Sequence, residues 1–195
     1  MHSIIIFASG KGSNAAAIIE YFRTHPMATV SLIVSNKADA GVLELAKKEN
    51  IPSRVIDRET LKSAEFVAML ENYKPSLIVL AGFLWKIPDE FVVAFRNRII
   101  NIHPALLPAF GGKGMYGHNV HQAVLEAGHK ESGITIHYVD EVYDNGDIIL
   151  QARCKVCPQD DADALAKRIH TLEHFYFPRT IEFLLSQTSD ATNTI

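Results

Sequence analysis

Asn101 and His103 stand two residues apart in the run Ile99-Ile100-Asn101-Ile102-His103, with Pro104 directly after them. In a strand that spacing puts both side chains on one face, and Pro104 stops the strand and fixes its exit. An amide donor beside an imidazole has the parts for acyl chemistry. The amide can hold a developing oxyanion, and the imidazole can move a proton. Downstream, Thr135 and His137 share one face of another strand-like run, and Asp140, Glu141, Asp144 and Asp147 crowd a single short loop. A carboxylate held near His103 would raise its pKa and orient it. Spacing alone leaves open which of these acids reaches the imidazole. The calcium-loop pattern with its closing Glu is absent.

A second polar cluster, Ser9-Gly10-Lys11-Gly12-Ser13-Asn14, follows the first apolar run and precedes the first helical pattern. Glycines let a backbone approach an anion closely, and a helix N-terminus adds free N–H groups and partial positive charge. Gly12, Ser13 and Asn14 are therefore candidates to hold a phosphate; the plainer alternative is a tight turn with a helix cap. Gly10-x-Gly12-x-x-Ala15 also fits the dinucleotide fingerprint. The acid that this motif wants about 20 residues on is replaced by Ser35-Asn36-Lys37. NAD is disfavoured, NADP is left open, and the P-loop pattern fails. A single phosphate, as on a sugar phosphate, suits the loop best.

These groups need a scaffold, and the chain reads as one. Strands are predicted at 3–8, 29–35, 54–56, 76–81, 98–102, 133–139 and 147–155. Helices are predicted at 15–23, 42–49, 64–73, 90–95, 120–127 and 161–177, with Pro178 kinking or ending the last. Leu165, Ile169, Leu172 and Tyr176 are its apolar stripe. Apolar strands separated by helices predict an α/β domain: an open, mostly parallel twisted sheet, helices on both faces, with an antiparallel elaboration toward the C-terminus. Residues 1–186 form that domain, and 187–195 read as a flexible tail.

The chain has 195 residues, with 19 Lys and Arg against 22 Asp and Glu. A balanced, faintly acidic chain has no electrostatic reason to coat nucleic acid or an anionic membrane. The longest apolar run, 77–85, is about half a membrane span. Two cysteines make no disulfide framework, and the N-terminus lacks a signal-peptide pattern. A cytoplasmic address is expected.

Together, the Ser-Gly-Lys-Gly-Ser-Asn loop, the segments 35–40 and 80–84, the run Asn101-Ile102-His103-Pro104-Ala105-Leu106-Leu107-Pro108 and the acidic loop resemble the folate-dependent formyltransferases. The match runs from about Ile4 to about Leu185, and the Gly-Ser-Asn loop and Glu173 point to the branch acting on glycinamide ribonucleotide. The resemblance implies a Rossmann-like formyltransferase fold and transfer of formyl from 10-formyltetrahydrofolate, as cosubstrate, to the amine of N1-(5-phospho-D-ribosyl)glycinamide in purine (IMP) biosynthesis. It implies Asn101, His103 and Asp144 as the catalytic trio, with Asp144 keeping His103 charged and placed. Gly12, Ser13 and Asn14 would take the phosphate, and Glu173 with His170 the ribose or glycinamide end. Leu84, Trp85, Lys86 and Ile87, with Asn101, Asp140, Glu141, Val142 and Tyr143, would line the pterin site. Lys62 would reach the folate tail, and Thr135 and His137 would be supporting. The chain departs from the pattern at Ala105, where relatives carry Ser, and at Leu84-Trp85, where they carry Met-Arg.

Rival readings compete with this one. Cys154-x-x-Cys157 is half a zinc or redox motif without its second half. His170-x-x-Glu173-His174 matches an inverted zinc-protease motif but lacks a further downstream ligand. No metal is expected. Other rivals are a second folate-dependent formyl transfer or hydrolysis, an NADP-dependent oxidoreductase, and a non-catalytic nucleotide-sugar binding module. The expected partners are the two small-molecule substrates, with no nucleic acid and no membrane, in a monomer or homodimer.

Overall fold

Among residues 1–190, which the computed structural model describes, seven strands form one sheet in the order β3-β2-β1-β4-β5-β6-β7. They are β1 (His2–Phe7), β2 (Ala28–Ser35), β3 (Ser53–Val55), β4 (Leu77–Leu80), β5 (Ile99–His103), β6 (Glu131–Tyr138) and β7 (Ile148–Lys155). The first five pair in parallel, and β6 and β7 add antiparallel. This is the expected mixed sheet.

Why β1 sits centrally follows from its composition: Ile4, Ile5, Ile6 and Phe7 are all fully buried, and a strand covered on both faces must be apolar throughout. Its side chains alternate between two cores. Ile4 and Ile6 join the layer beneath α1 (Ser13–Thr24), α2 (Gly41–Lys48), α6 (His118–Glu126) and α7 (Ala162–Asp190). Ile5 and Phe7 join the layer beneath α3 (Arg58–Lys62), α4 (Ala64–Glu71) and α5 (Asp89–Ala94), with Phe66, Phe91 and Phe95. Strand order reverses between β1 and β4, and a parallel sheet opens a crevice at such a switch point, outside the carboxyl ends of its strands.

Two elements differ from the sequence expectation. α3 is a five-residue turn started by Asp57, whose side chain accepts from Thr60 N–H; it is too short for a periodic signal. Pro178 lies inside α7, which runs on to Asp190, so it does not end the helix. Phe177, Ile181 and Leu185 are fully buried, and this packing holds α7 helical past the proline. The buried stripe is Leu165, Ile169, Glu173, Phe177, Ile181 and Leu185, all four apart, while Leu172 and Tyr176 are only half-buried. A carboxylate thus occupies a core position. The expected tail at 187–195 is helical through Asp190, and 191–195 lie outside the described residues. No helix among the described residues is long and apolar enough to cross a membrane.

Candidate active site

A cavity of about 920 Å³ opens at the switch point, lined by the segments after β1, β4 and β5 and by α6 and α7, a volume within the usual range for small-molecule sites. On one wall, Gly12 has φ of 82°, and a Cβ there would come within 2.7 Å of Val42 Cγ2. Only glycine fits. The loop is anchored by Val42 N–H, which donates to the Gly10 carbonyl at 3.1 Å. Ser9 ties it to its neighbours: its hydroxyl donates to Asn36 Oδ1 at 2.6 Å and accepts from Leu84 N–H at 2.9 Å. No side chain caps α1, so its first-turn N–H groups have no partner within the helix.

The acyl-type groups line the same cavity. Asn101 and His103 face β6, paired in register with His137 and Thr135. His137 Nδ1 donates to the Tyr138 carbonyl at 2.7 Å, which leaves its Nε2 to accept from Asn101 Nδ2 at 3.1 Å. That bond orients the Asn101 amide and uses one of its two hydrogens. His103 Nε2 donates to the Phe110 carbonyl at 2.7 Å, and its Nδ1 faces Asp144 Oδ2 at 3.7 Å. Asp144 Oδ1 lies 3.7 Å from His137 Nε2. Its Oδ2 accepts from Gly112 N–H at 2.8 Å, and its backbone is left-handed at φ 51°. Thr135 is a brace: its hydroxyl donates to the Ala105 carbonyl and accepts from Leu107 N–H.

Burial opposes the expectation that Asp144 keeps His103 charged. His103 is 3% exposed, and burial pushes its pKa below the ordinary 6.5, against the upward pull of Asp144. Desolvation penalises the imidazolium more than the carboxylate favours it. Burial likewise lowers His137. In the unliganded protein this favours the neutral His103 imidazole, with Nδ1 3.7 Å from Asp144 Oδ2.

At the far end, Glu173 Oε2 accepts from Asn14 Nδ2 at 2.9 Å, and burial raises the Glu173 pKa. Asn14 Oδ1 and His121 Nδ1 are both buried without a protein partner. His170 and His174 stack with ring centroids 6.2 Å apart, while Glu173 turns inward to Asn14. No group of three metal-ligating side chains occurs among the described residues.

The buried imidazole of His121 makes stability pH-dependent. Burial, with His170, His118 and His103 nearby, lowers its pKa to about 4, below the unfolded value near 6.5. The unfolded chain therefore binds the extra proton first. The contribution of His121 is complete above pH 6.5 and is lost as pH falls toward 4, at most about 3 kcal/mol. Urea unfolding of wild type and His121→Asn across this range should give a difference curve that declines with acidity. A flat difference would contradict the assignment.

Of the predicted binding residues, Gly12, Ser13, Asn14, His170, Glu173, Leu84, Trp85 and Lys86 line the main cavity. Ile87, Asp140, Val142 and Tyr143 line an adjoining slot of about 50 Å³, shared with Asn101, His137 and Asp144. Lys62 and Glu141 line neither; Glu141 is paired with Arg96 at 2.7 Å. The basic residue of α3 that reaches the cavity is Arg58, whose guanidinium lies 4.7 Å from the centre of the Trp85 ring. Sequence reading also missed Lys37, Lys113, Tyr116 and His121 as cavity residues. Residues 112–117, a glycine-rich stretch between β5 and α6, line this cavity. His121 has a signal in retrospect, since Val124, three residues on along the same helix, is a buried neighbour.

Residues 2–181 match the formyl transferase family. A relative in Arabidopsis thaliana, phosphoribosylglycinamide formyltransferase, chloroplastic, is 45% identical over 88% of this chain and 61% of its own length. The chain thus spans less than two thirds of that plant relative. The phosphoribosylglycinamide formyltransferase of Bacillus subtilis (strain 168) is 38% identical over 95% of each. Among solved structures, the phosphoribosylglycinamide formyltransferase of Anaplasma phagocytophilum superposes with a TM-score of 0.87 at 35% identity, over 95% of this chain and 87% of that one.

Proposed function

The chain belongs to the formyl transferase family, and on that premise we propose that it transfers the formyl group of 10-formyltetrahydrofolate to the amine of N1-(5-phospho-D-ribosyl)glycinamide in purine biosynthesis. The observation that carries the reading is the convergence of Asn101, His103 and Asp144 on a cavity that also takes in an uncapped, glycine-led helix N-terminus. That pairs an oxyanion and proton-transfer centre with an anion site in one pocket. The relatives' names support formyl transfer to this acceptor over hydride transfer from a reduced nicotinamide.

The acceptor amine attacks the formyl carbon, a C–N bond forms, and the carbonyl electrons move onto oxygen. Asn101 donates its second Nδ2 hydrogen to that oxygen. His103 enters neutral, so its Nδ1 takes the proton that the attacking nitrogen sheds, and Asp144 stabilises the imidazolium so formed. As the tetrahedral centre collapses and the bond to the folate nitrogen breaks, His103 returns the proton to that nitrogen. The folate supplies the activated formyl group. The slot walled by Leu80, Phe83, Ile87, Val139 and Val142, with Asn101 and Asp140 at its edge, suits a flat ring with polar edges. At about 50 Å³ it must widen to admit a pterin, and the exposed Val142 and Tyr143 are the side chains to yield. Arg58, rather than Lys62, is the cation for the folate tail.

A formyl-transfer assay with glycinamide ribonucleotide and with water as competing acceptors tests the proposal. Formylation of the ribonucleotide is expected, with hydrolysis minor; hydrolysis alone would overturn the acceptor assignment. In the same assay Ser13→Ala should raise KM for the ribonucleotide, leaving KM for the folate unchanged. Loss of one charge-assisted hydrogen bond costs about 1.5–3 kcal/mol. A rise confined to the folate would mean that the loop does not hold the phosphate.

A further inference from the structure

We infer that His121 is a positioning residue for the acceptor: its Nδ1 accepts a hydrogen bond from an N–H of the glycinamide arm. The inference rests on the function proposed above and deepens it. His121 is 3% exposed, lines the main cavity, and has its Nδ1 buried without a protein donor. Buried polar atoms in folded proteins are almost always paired, and an orphan needs an explanation. A residue kept only for packing explains nothing here, because an apolar side chain would fill the same wall of α6 without an unsatisfied nitrogen.

Its neighbours locate it along the substrate. The imidazoles near it are those of His170, His118 and His103. His170 lies at the Glu173 end of the cavity and His103 at the reacting end. A ligand with its phosphate at Gly12–Asn14 and its amine at His103 must pass its connecting arm between them. That arm carries N–H donors. Burial keeps the imidazole neutral near pH 7, so a lone pair is retained to accept. Asn14 Oδ1, also buried and unpartnered on this cavity, is a second acceptor facing the same ligand.

The test is steady-state kinetics of the intact enzyme with glycinamide ribonucleotide and 10-formyltetrahydrofolate, for His121→Ala, His121→Asn and His121→Gln. His121→Ala should raise acceptor KM on the order of tenfold to a hundredfold, with folate KM within about twofold. The Asn amide oxygen stands near the Nδ1 position and should restore acceptor KM to within about threefold of wild type. The longer Gln, which mimics Nε2, should not. A structural role would move both KM values together and would show no Asn-over-Gln order; either result overturns the inference. A second measurement needs no variant that might misfold. In ¹⁵N-histidine spectra of wild type, glycinamide ribonucleotide should shift an unprotonated Nδ1 signal that neither inorganic phosphate nor the folate alone moves; the absence of such a shift overturns it. Wild-type enzyme that fails to formylate the ribonucleotide overturns the proposed function and this inference with it. Wild-type activity with indifferent His121 variants overturns this inference alone.

Discussion

His103→Ala is expected to lose about 10²–10⁴-fold in turnover, the range for a general acid–base group, while the protein stays folded. The imidazole can both take a proton from the attacking amine and return it to the leaving nitrogen. Its Nε2 is committed to the Phe110 carbonyl, so the reacting atom is Nδ1. Truncation removes a buried ring, but beside a cavity already open to ligand. The stability change should fall within the ~0.5–3 kcal/mol usual for point mutants. Asn101→Ala should cost about 10²–10³-fold, the range for an oxyanion donor. Both groups act on one transition state, so the double variant should lose less than the product of the singles. Because burial lowers the His103 pKa, activity should rise through a midpoint below pH 6.5 and level off toward neutrality. Single-turnover rates with thermal melts check all of this. A folded His103→Ala enzyme with near-wild-type transfer would sink the mechanism.

What the sequence made legible is what short-range geometry dictates. The isoleucine run of β1 has one reading, a doubly covered strand. Asn101 and His103 share a face because strand period is 2, and Pro104 marks where that strand ends. Gly12 announces a left-handed turn before a helix. The misses have a common cause, which is burial contributed by distant elements. Pro178 carries a strong local stop signal, overridden by the packing of Phe177, Ile181 and Leu185. Glu173, expected at the ribose or glycinamide end, does line the cavity; what the sequence did not show is that it stands in the buried stripe of α7 and bonds Asn14 from α1. The charge state of His103 turns on a contest between Asp144 and desolvation, and both depend on the whole fold. Lys62 was expected at the folate tail, and only the folded turn shows that Arg58 is the cation of α3 facing Trp85.

Asp144→Asn carries the second-largest expected effect, because it removes charge and little else. The residue sits at φ 51°, a region that Asn tolerates as well as Asp. An amide oxygen can still accept from Gly112 N–H, as Asp144 Oδ2 does now at 2.8 Å. The backbone and loop should therefore survive the change, and both substrates should bind. What is lost is the anion 3.7 Å from His103 Nδ1, whose pull is upward on the His103 pKa. Turnover should fall about 10²–10⁴-fold, as the imidazolium formed during transfer loses its counter-charge. The acidic limb of the pH–rate profile should move to lower pH, since the upward pull of Asp144 is gone while burial still pushes down. Asp147 is the control within the same loop. Its backbone carbonyl accepts from Tyr138 N–H at 2.9 Å, a contact that Asp147→Asn leaves intact, and its side chain lines neither the cavity nor the slot. Asp147→Asn should keep near-wild-type rate and pH profile. Equal losses in the two variants, with no movement of the acidic limb in Asp144→Asn, would mean that the loop acts by shape and that Asp144 has no electrostatic part in proton transfer.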